Sequence, residues 1–157
     1  MPTHFPPIPN AVWASAGAAE GSTELNAFDN ALLAARVGNL NLIRVSSVLP
    51  EDAAILREPP QIPPGSLVPT VYCAHISARP GETVAAAVAI GVGDGTHGMI
   101  YESRGRSRAE AESTVRRMIC EGFDNRDLKL KEVVIRSVEH KVEQTGCAVA
   151  AVILWWR

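Results

Sequence analysis

The chain has 157 residues, 46% hydrophobic and 20% charged, with a formal net charge of −2. That length and balance suit one globular domain with a substantial core, and they offer no basic footprint for nucleic acid and no polybasic patch for a membrane. Three widely spaced cysteines, Cys73, Cys120 and Cys147, form neither a disulfide framework nor a zinc pattern, and read as reduced thiols of a cytoplasmic protein.

Residues 1–10 carry four prolines and predict an extended arm; with no basic start and no long apolar stretch, they are not a secretory signal. Residues 11–16 predict a short strand, and Ala18–Thr23 a small, polar loop. A helix is expected from about Asn26 to Val37. Asn26 would cap it, Phe28, Leu32 and Ala35 would share one face, and Gly38 would take the left-handed position after it. Residues 40–48 then read as a strand that ends near the pair Ser46-Ser47.

Residues 49–69 hold six prolines, which rule out a regular helix or an interior strand there. Long connections of this kind are often functional. Residues 67–77 and 83–92 read as two buried strands joined through the turn Arg79-Pro80-Gly81. The stretch 91–98, with four glycines, reads as a flexible loop before a short strand at Met99–Glu102. It lacks the lysine and following helix of a phosphate cradle. A second helix begins at Ser107, where Ser107 and Glu110 make a capping box; Ala111, Val115, Met118 and Ile119 mark its core face, and Gly122 its end. The last strands are expected at 130–138 and 147–156, with a turn or short helix at 139–145. The apolar run 147–156 is half a membrane span, and suits a buried strand better. Strands and helices do not alternate strictly, which favours an α+β layered fold over a doubly wound parallel sheet.

Several segments, taken in order, resemble the pyruvoyl-dependent arginine decarboxylases. They are Leu25-Asn-Ala-Phe-Asp-Asn-Ala-Leu-Leu33, Gly38-Asn-Leu-Asn-Leu-Ile-Arg-Val-Ser-Ser47, Pro64-Gly-Ser-Leu-Val-Pro-Thr70, Arg79-Pro-Gly-Glu-Thr83, Gly98-Met-Ile-Tyr-Glu102, Val138-Glu-His140 and the closing 146–156. The likeness runs from about residue 11 to the end. It implies an αββα sandwich assembled as a trimer, with active sites between neighbouring subunits. Pairing of trimers into hexamers is left open. The loop 91–98 departs from the family pattern in being short and rich in glycine.

The resemblance also implies a chemistry. Ser47 Oγ would attack the Ser46 carbonyl, replacing the peptide bond by an ester. Loss of the Ser47 α-proton would expel the Ser46 carboxylate and leave dehydroalanine. Its imine form would exchange ammonia for water and become a pyruvoyl group. Residues 1–46 and 47–157 would be the two products. Asn41 matches a position whose amide can donate to the developing oxyanion. The pyruvoyl ketone would form a Schiff base with substrate and accept electrons as carbon dioxide leaves, with neither a metal nor pyridoxal phosphate. Glu102 matches the proton donor, a role that needs a raised pKa. Asp29 matches the residue that binds the guanidinium, and Leu25, Gly38 and Leu40 match pocket positions.

Each of these residues has a plainer alternative: a strand-end amide for Asn41, a solvated carboxylate for Glu102, a first-turn dipole partner for Asp29, core packing for Leu25 and Leu40. The histidines His4, His75, His97 and His140 make no ligand set. The leading expectation is self-processing and conversion of L-arginine to agmatine, compatible with polyamine supply or with acid resistance. The same chemistry on another amino acid, an unprocessed relative and a small-molecule binding domain are the alternatives.

Overall fold

The computed structural model describes residues 8–46 and 48–157. Along the chain run β1 (Ala11–Glu20), α1 (Glu24–Ala34), β2 (Asn41–Arg44), β3 (Val48–Leu49), β4 (Ala54–Ile55), β5 (Leu67–Ser77), β6 (Thr83–Gly93), β7 (Gly98–Gly105), α2 (Arg108–Asp124), β8 (Leu130–Lys141) and β9 (Gly146–Trp155). The first sheet has the order β2-β5-β9-β1-β4, and the second β3-β7-β6-β8. The first is mixed: β2 lies parallel to β5 and β4 parallel to β1, while β9 is antiparallel to both β1 and β5. The second is antiparallel throughout.

Four layers follow from the burial of both faces of each sheet. Val12, Val71, Val88, Ile90, Ile100 and Val152 meet between the sheets. Trp13, Val68, Val149 and Ile153 face the other way and pack against Ala27, Ala31 and Leu32 of α1. Ala85, Ala87 and Ala89 turn outward beneath Ala111, Val115, Ile119 and Phe123 of α2. A strand buried on both faces reads as a continuous apolar run, which is why β6 and β9 are so plain in sequence. The outcome is the expected αββα layering of an α+β fold.

Local boundaries differ from expectation for identifiable reasons. β1 extends through 18–20, which had read as loop, because it pairs with β9 along its whole length. Helix α1 starts earlier and stops earlier than 26–37. Its cap is Thr23, whose side chain accepts from the Asn26 N–H at 3.0 Å, so Asn26 lies inside the helix. Its left-handed residue is Arg36 (φ 65°), not Gly38. The Arg36 and Val37 N–H groups bond back to Leu33 and Leu32 in a Schellman closure.

Helix α2 has the expected Ser107 cap, at 3.0 Å from the Glu110 N–H, but it runs past Gly122. Gly122 is there for close approach: a Cβ would stand 2.2 Å from the Tyr101 hydroxyl. Met118 is only partly buried beside the α2 core. Strand β6 continues through Gly91–Gly93, so the expected 91–98 loop shrinks to 94–97, and β7 grows to eight residues. Strand β8 reaches Lys141, leaving a turn instead of a helix before β9. The predicted strand 40–48 is broken into β2 and β3, on different sheets. Among the described residues, no helix is long and apolar enough to cross a membrane. The expected arm falls largely on residues 1–7, which, like His4 and Ser47, lie outside the described residues.

Candidate active site

The segment around the serine pair is a crossing between sheets. Among the described residues β2 is the edge strand of the first sheet, paired with β5 alone, with Ile43 opposite Pro69 and Arg44 opposite Thr70. The Val45 N–H continues this ladder to the Thr70 carbonyl at 3.2 Å. Next in the chain, β3 is the edge strand of the second sheet among the described residues, with Val48 opposite Met99. Ser46 is exposed and belongs to neither strand.

Along β7 from Met99, Glu102 lies three residues on, and alternation gives it the face of Ile100, toward the other sheet. There it lines a cavity of about 410 Å³ with Arg44, Cys73, Ala74, Ser103 and Arg104. Glu102 is half-buried at the margin of the inter-sheet core. That burial raises its pKa above the ordinary carboxylate value, while the charge of Arg44 opposes the rise. The Cys73 thiol is pushed up to about 11 by burial and by the nearby Glu102 carboxylate, so it is neutral at physiological pH. The polar Ser103 and Arg104 share the lining of this cavity, yet Glu102 still feels the burial.

Asn41, at the start of β2, donates its side-chain N–H to the Gly65 carbonyl at 2.8 Å. Its backbone N–H bonds to Ser66, fixing the loop ahead of β5. The plainer role of a strand-end amide is therefore filled, and among the described residues the second amide hydrogen has no partner. Leu25 and Asp29 are exposed on α1, one turn apart. Asp29 is in mid-helix, not in the first turn, so no dipole role accounts for it. Leu25 is 73% exposed and is not core. Leu40 is partly buried against the α1 side of the first sheet. Gly38 and Leu40 line a second cavity of about 310 Å³ with Trp13, Leu33, Arg36 and Ile62. A Cβ on Gly38 would stand 2.7 Å from the Leu33 side chain.

Within one chain, then, the matched residues form separate groups. Glu102 stands near the serine crossing, Gly38 and Leu40 line another cavity, and Leu25 and Asp29 face outward. Sequence reading did not single out Arg44 or Cys73 as cavity residues. An arginine two positions before the serine pair was the available signal for the first; nothing in sequence marked the second.

Residues 11–156 match the family model of pyruvoyl-dependent arginine decarboxylase. The chain belongs to this family. A pyruvoyl-dependent arginine decarboxylase of Methanocaldococcus jannaschii is 47% identical over 153 residues, covering 96% of this chain and 92% of that protein. One of Pyrococcus horikoshii is 52% identical over 145 residues, covering 89% and 91%. One of Methanococcus maripaludis is 46% identical over 153 residues, covering 95% and 92%. The match spans both sheets and both helices, and so includes the crossing and the Glu102 cavity.

Proposed function

We propose that this chain cleaves itself between Ser46 and Ser47, carries a covalent pyruvoyl group derived from Ser47, and decarboxylates L-arginine to agmatine and carbon dioxide. The observation that carries this reading is the passage of the chain from β2, at the edge of one sheet, to β3, at the edge of the other, with the half-buried Glu102, whose pKa is raised, sharing a cavity with Arg44 of β2. The residues fit such a group: a hydroxyl nucleophile in sequence, a neutral thiol and a protonatable acid in the adjoining cavity. A bound pyruvoyl group supplies a carbonyl that captures the substrate amine and takes up the electrons released with carbon dioxide.

The chain's own residues supply the remainder. Asn41 stands five extended residues, about 16 Å, before Ser46, so in the shared site it is the Asn41 of a neighbouring copy whose second side-chain N–H stabilises negative charge on the Ser46 carbonyl oxygen during cleavage. Glu102 holds a proton for the substrate α-carbon. Its half-burial keeps that proton available above the usual carboxylate range. Asp29 offers two oxygens to a guanidinium, and Leu25 an apolar surface to the substrate's methylene chain. Gly38 and Leu40 shape the neighbouring wall.

The separation of these groups in one chain supports a site shared between copies, in a homotrimer. The exposed Leu25, Leu33, Ile43 and Leu67, together with the edge of β2 that no described strand pairs, form the kind of apolar surface an obligate assembly covers. Light scattering at the chain's working concentration tests this; a monodisperse monomer with full activity would remove the shared site.

Denaturing intact-mass spectrometry tests the processing. Two species, residues 1–46 and a pyruvoyl-blocked 47–157, are expected, together with arginine-dependent release of carbon dioxide. A persistent single chain that decarboxylates nothing would favour the unprocessed relative. Release from lysine or ornithine at rates equal to arginine would widen the substrate class to cationic amino acids.

A further inference from the structure

Arg44 has an unusual set of contacts for an exposed edge-strand arginine. Its Nη1 donates to the Tyr72 carbonyl at 2.7 Å. Its guanidinium lies 4.1 Å from the centroid of the Tyr72 ring, which stacks in turn on Phe28 of α1 at 6.5 Å. A planar cation fixed both by a carbonyl and by an aromatic face has little freedom to swing. The same arginine lines the Glu102 cavity, yet among the described residues no ion pair within 4 Å joins the two. The guanidinium is thus held within electrostatic reach of the carboxyl but out of contact with it.

That arrangement matters for an acid. A direct ion pair would lock Glu102 as a carboxylate, and a wholly uncompensated apolar site would hold its proton too tightly to release it. We propose that Arg44, braced by Tyr72 and Phe28, is a positioning residue that sets the acid strength of Glu102 by holding a positive charge at fixed reach. The inference rests on the reading of Glu102 as proton donor.

Other groups face Glu102 as well. Cys73 of β5 is a neutral thiol, and Arg104 lies two residues along on the same face of β7. His75 of β5 is turned to the Gly105 carbonyl at 3.0 Å. Arg136 of β8 lies across Val88, two strands away. Of the charged groups, Arg44 is the one whose influence opposes the burial of Glu102.

The test compares cleaved wild-type enzyme with Arg44→Gln, Arg44→Lys and Tyr72→Leu, reading the pH profile of kcat/KM for arginine. Activity that needs protonated Glu102 falls as pH rises through its pKa. Arg44→Gln removes the opposing charge, so the alkaline limb moves to higher pH. Tyr72→Leu frees the guanidinium to approach the carboxyl, so the limb moves to lower pH. Arg44→Lys keeps a charge and stays closer to wild type than Arg44→Gln. An unmoved limb in both Arg44→Gln and Tyr72→Leu would overturn the proposal.

Carbon-13 titration of labelled glutamate carboxyls, with Glu102→Gln assigning the resonance, reads the same displacement without turnover. If Arg44→Gln is not processed, it is titrated beside uncleaved Ser47→Ala, and the same upward displacement is expected; none would overturn the proposal. Full turnover in Glu102→Gln would remove the proton-donor reading instead, and the titration would still report whether Arg44 acts on the carboxyl.

Discussion

The two helix-covered faces of this molecule are built to different standards of closure. Under α2 the core side is closed at Val115 and Ile119, which are fully buried, and at Phe123, nearly so, against Ala85, Ala87 and Ala89, with Met118 partly buried at the margin. Under α1 the inner side is equally tight, at Ala27, Ala31 and Leu32, but the outer side carries Leu25 at 73% and Leu33 at 48% exposure. The neighbouring edge adds Ile43 and Leu67. One face ends the fold; the other is left as a surface. The matched pocket residues Leu25, Asp29, Gly38 and Leu40 all belong to the second face or its border. On the proposed reading, the closed core under α2 is thereby separated from the substrate-pocket positions around α1, with Glu102 at the sheet margin between them, and substitutions should divide along the same line.

The sharpest division is expected at Glu102. Glu102→Gln keeps the shape of the cavity but cannot donate a carboxylic proton, so decarboxylation should fall by about 10²- to 10⁴-fold. Cleavage at Ser46-Ser47, followed by mass, should persist. Folding should respond in the opposite sense. A carboxyl whose folded pKa is raised favours the folded state most below its unfolded pKa, and that contribution is lost as pH rises through the folded value. Above that window the ionised, half-buried carboxylate is a burden that glutamine lacks. Thermal melts should therefore favour Glu102→Gln at neutral pH, with the difference vanishing under acid. Wild-type turnover in this variant would break the assignment.

On the closed face, Ile119→Ala should cost about 2–5 kcal/mol of folding stability, read by denaturant titration, because the cavity it leaves beneath α2 is walled by alanines that cannot fill it. Leu33→Ala on the open face should cost the isolated fold well under that, and show itself instead in the mass of the assembly. Equal losses of fold stability at the two positions would mean that the open face is ordinary core margin.

Asp29→Asn acts wholly on the open side. Removing the negative partner of a guanidinium costs about 1.5–3 kcal/mol, so KM for arginine should rise by roughly 10- to 100-fold with cleavage unaffected. Unchanged steady-state kinetics would take Asp29 out of the pocket.

The difference between the faces also explains what the sequence could tell. β5, β6, β9 and the Ser107 cap of α2 were legible because burial on both faces writes long apolar runs, and because a capping serine with glutamate three residues on is a local signal. The helix ends were misread because both close without glycine. Arg36 and Asp127 take the left-handed positions, at φ 65° and 52°, while Gly38 and Gly122 are small for the sake of a neighbour that no local pattern reveals. Val45, Ser46, Ser47 and the strands on either side looked like one strand because nothing in Asn41–Leu49 marks a change of sheet. Glu102 was legible through resemblance, but its companions Arg44 and Cys73 reach it from β2 and β5, a tertiary fact.

The smallest effect expected lies away from both faces, where β1 ends against the β8–β9 turn. Burial alone would raise the Glu20 pKa, but its carboxylate accepts the Gln144 N–H at 2.8 Å, meets His140 Nε2 at 2.5 Å and accepts the Thr145 N–H at 3.1 Å. The balance holds its pKa below the ordinary carboxylate value. A group depressed on folding contributes stability that is present above its unfolded pKa and lost as pH falls through the folded one. Glu20→Gln should thus cost about 1 kcal/mol near neutral pH, and its melting curve should converge on wild type as acid protonates the native carboxylate. Since the turn it fastens joins β8 of one sheet to β9 of the other, this loss should leave turnover and the pH profile set by Glu102 unchanged. A displaced activity profile in Glu20→Gln would show that the turn and the Glu102 cavity communicate through the strands, and that the division between stability and chemistry is incomplete.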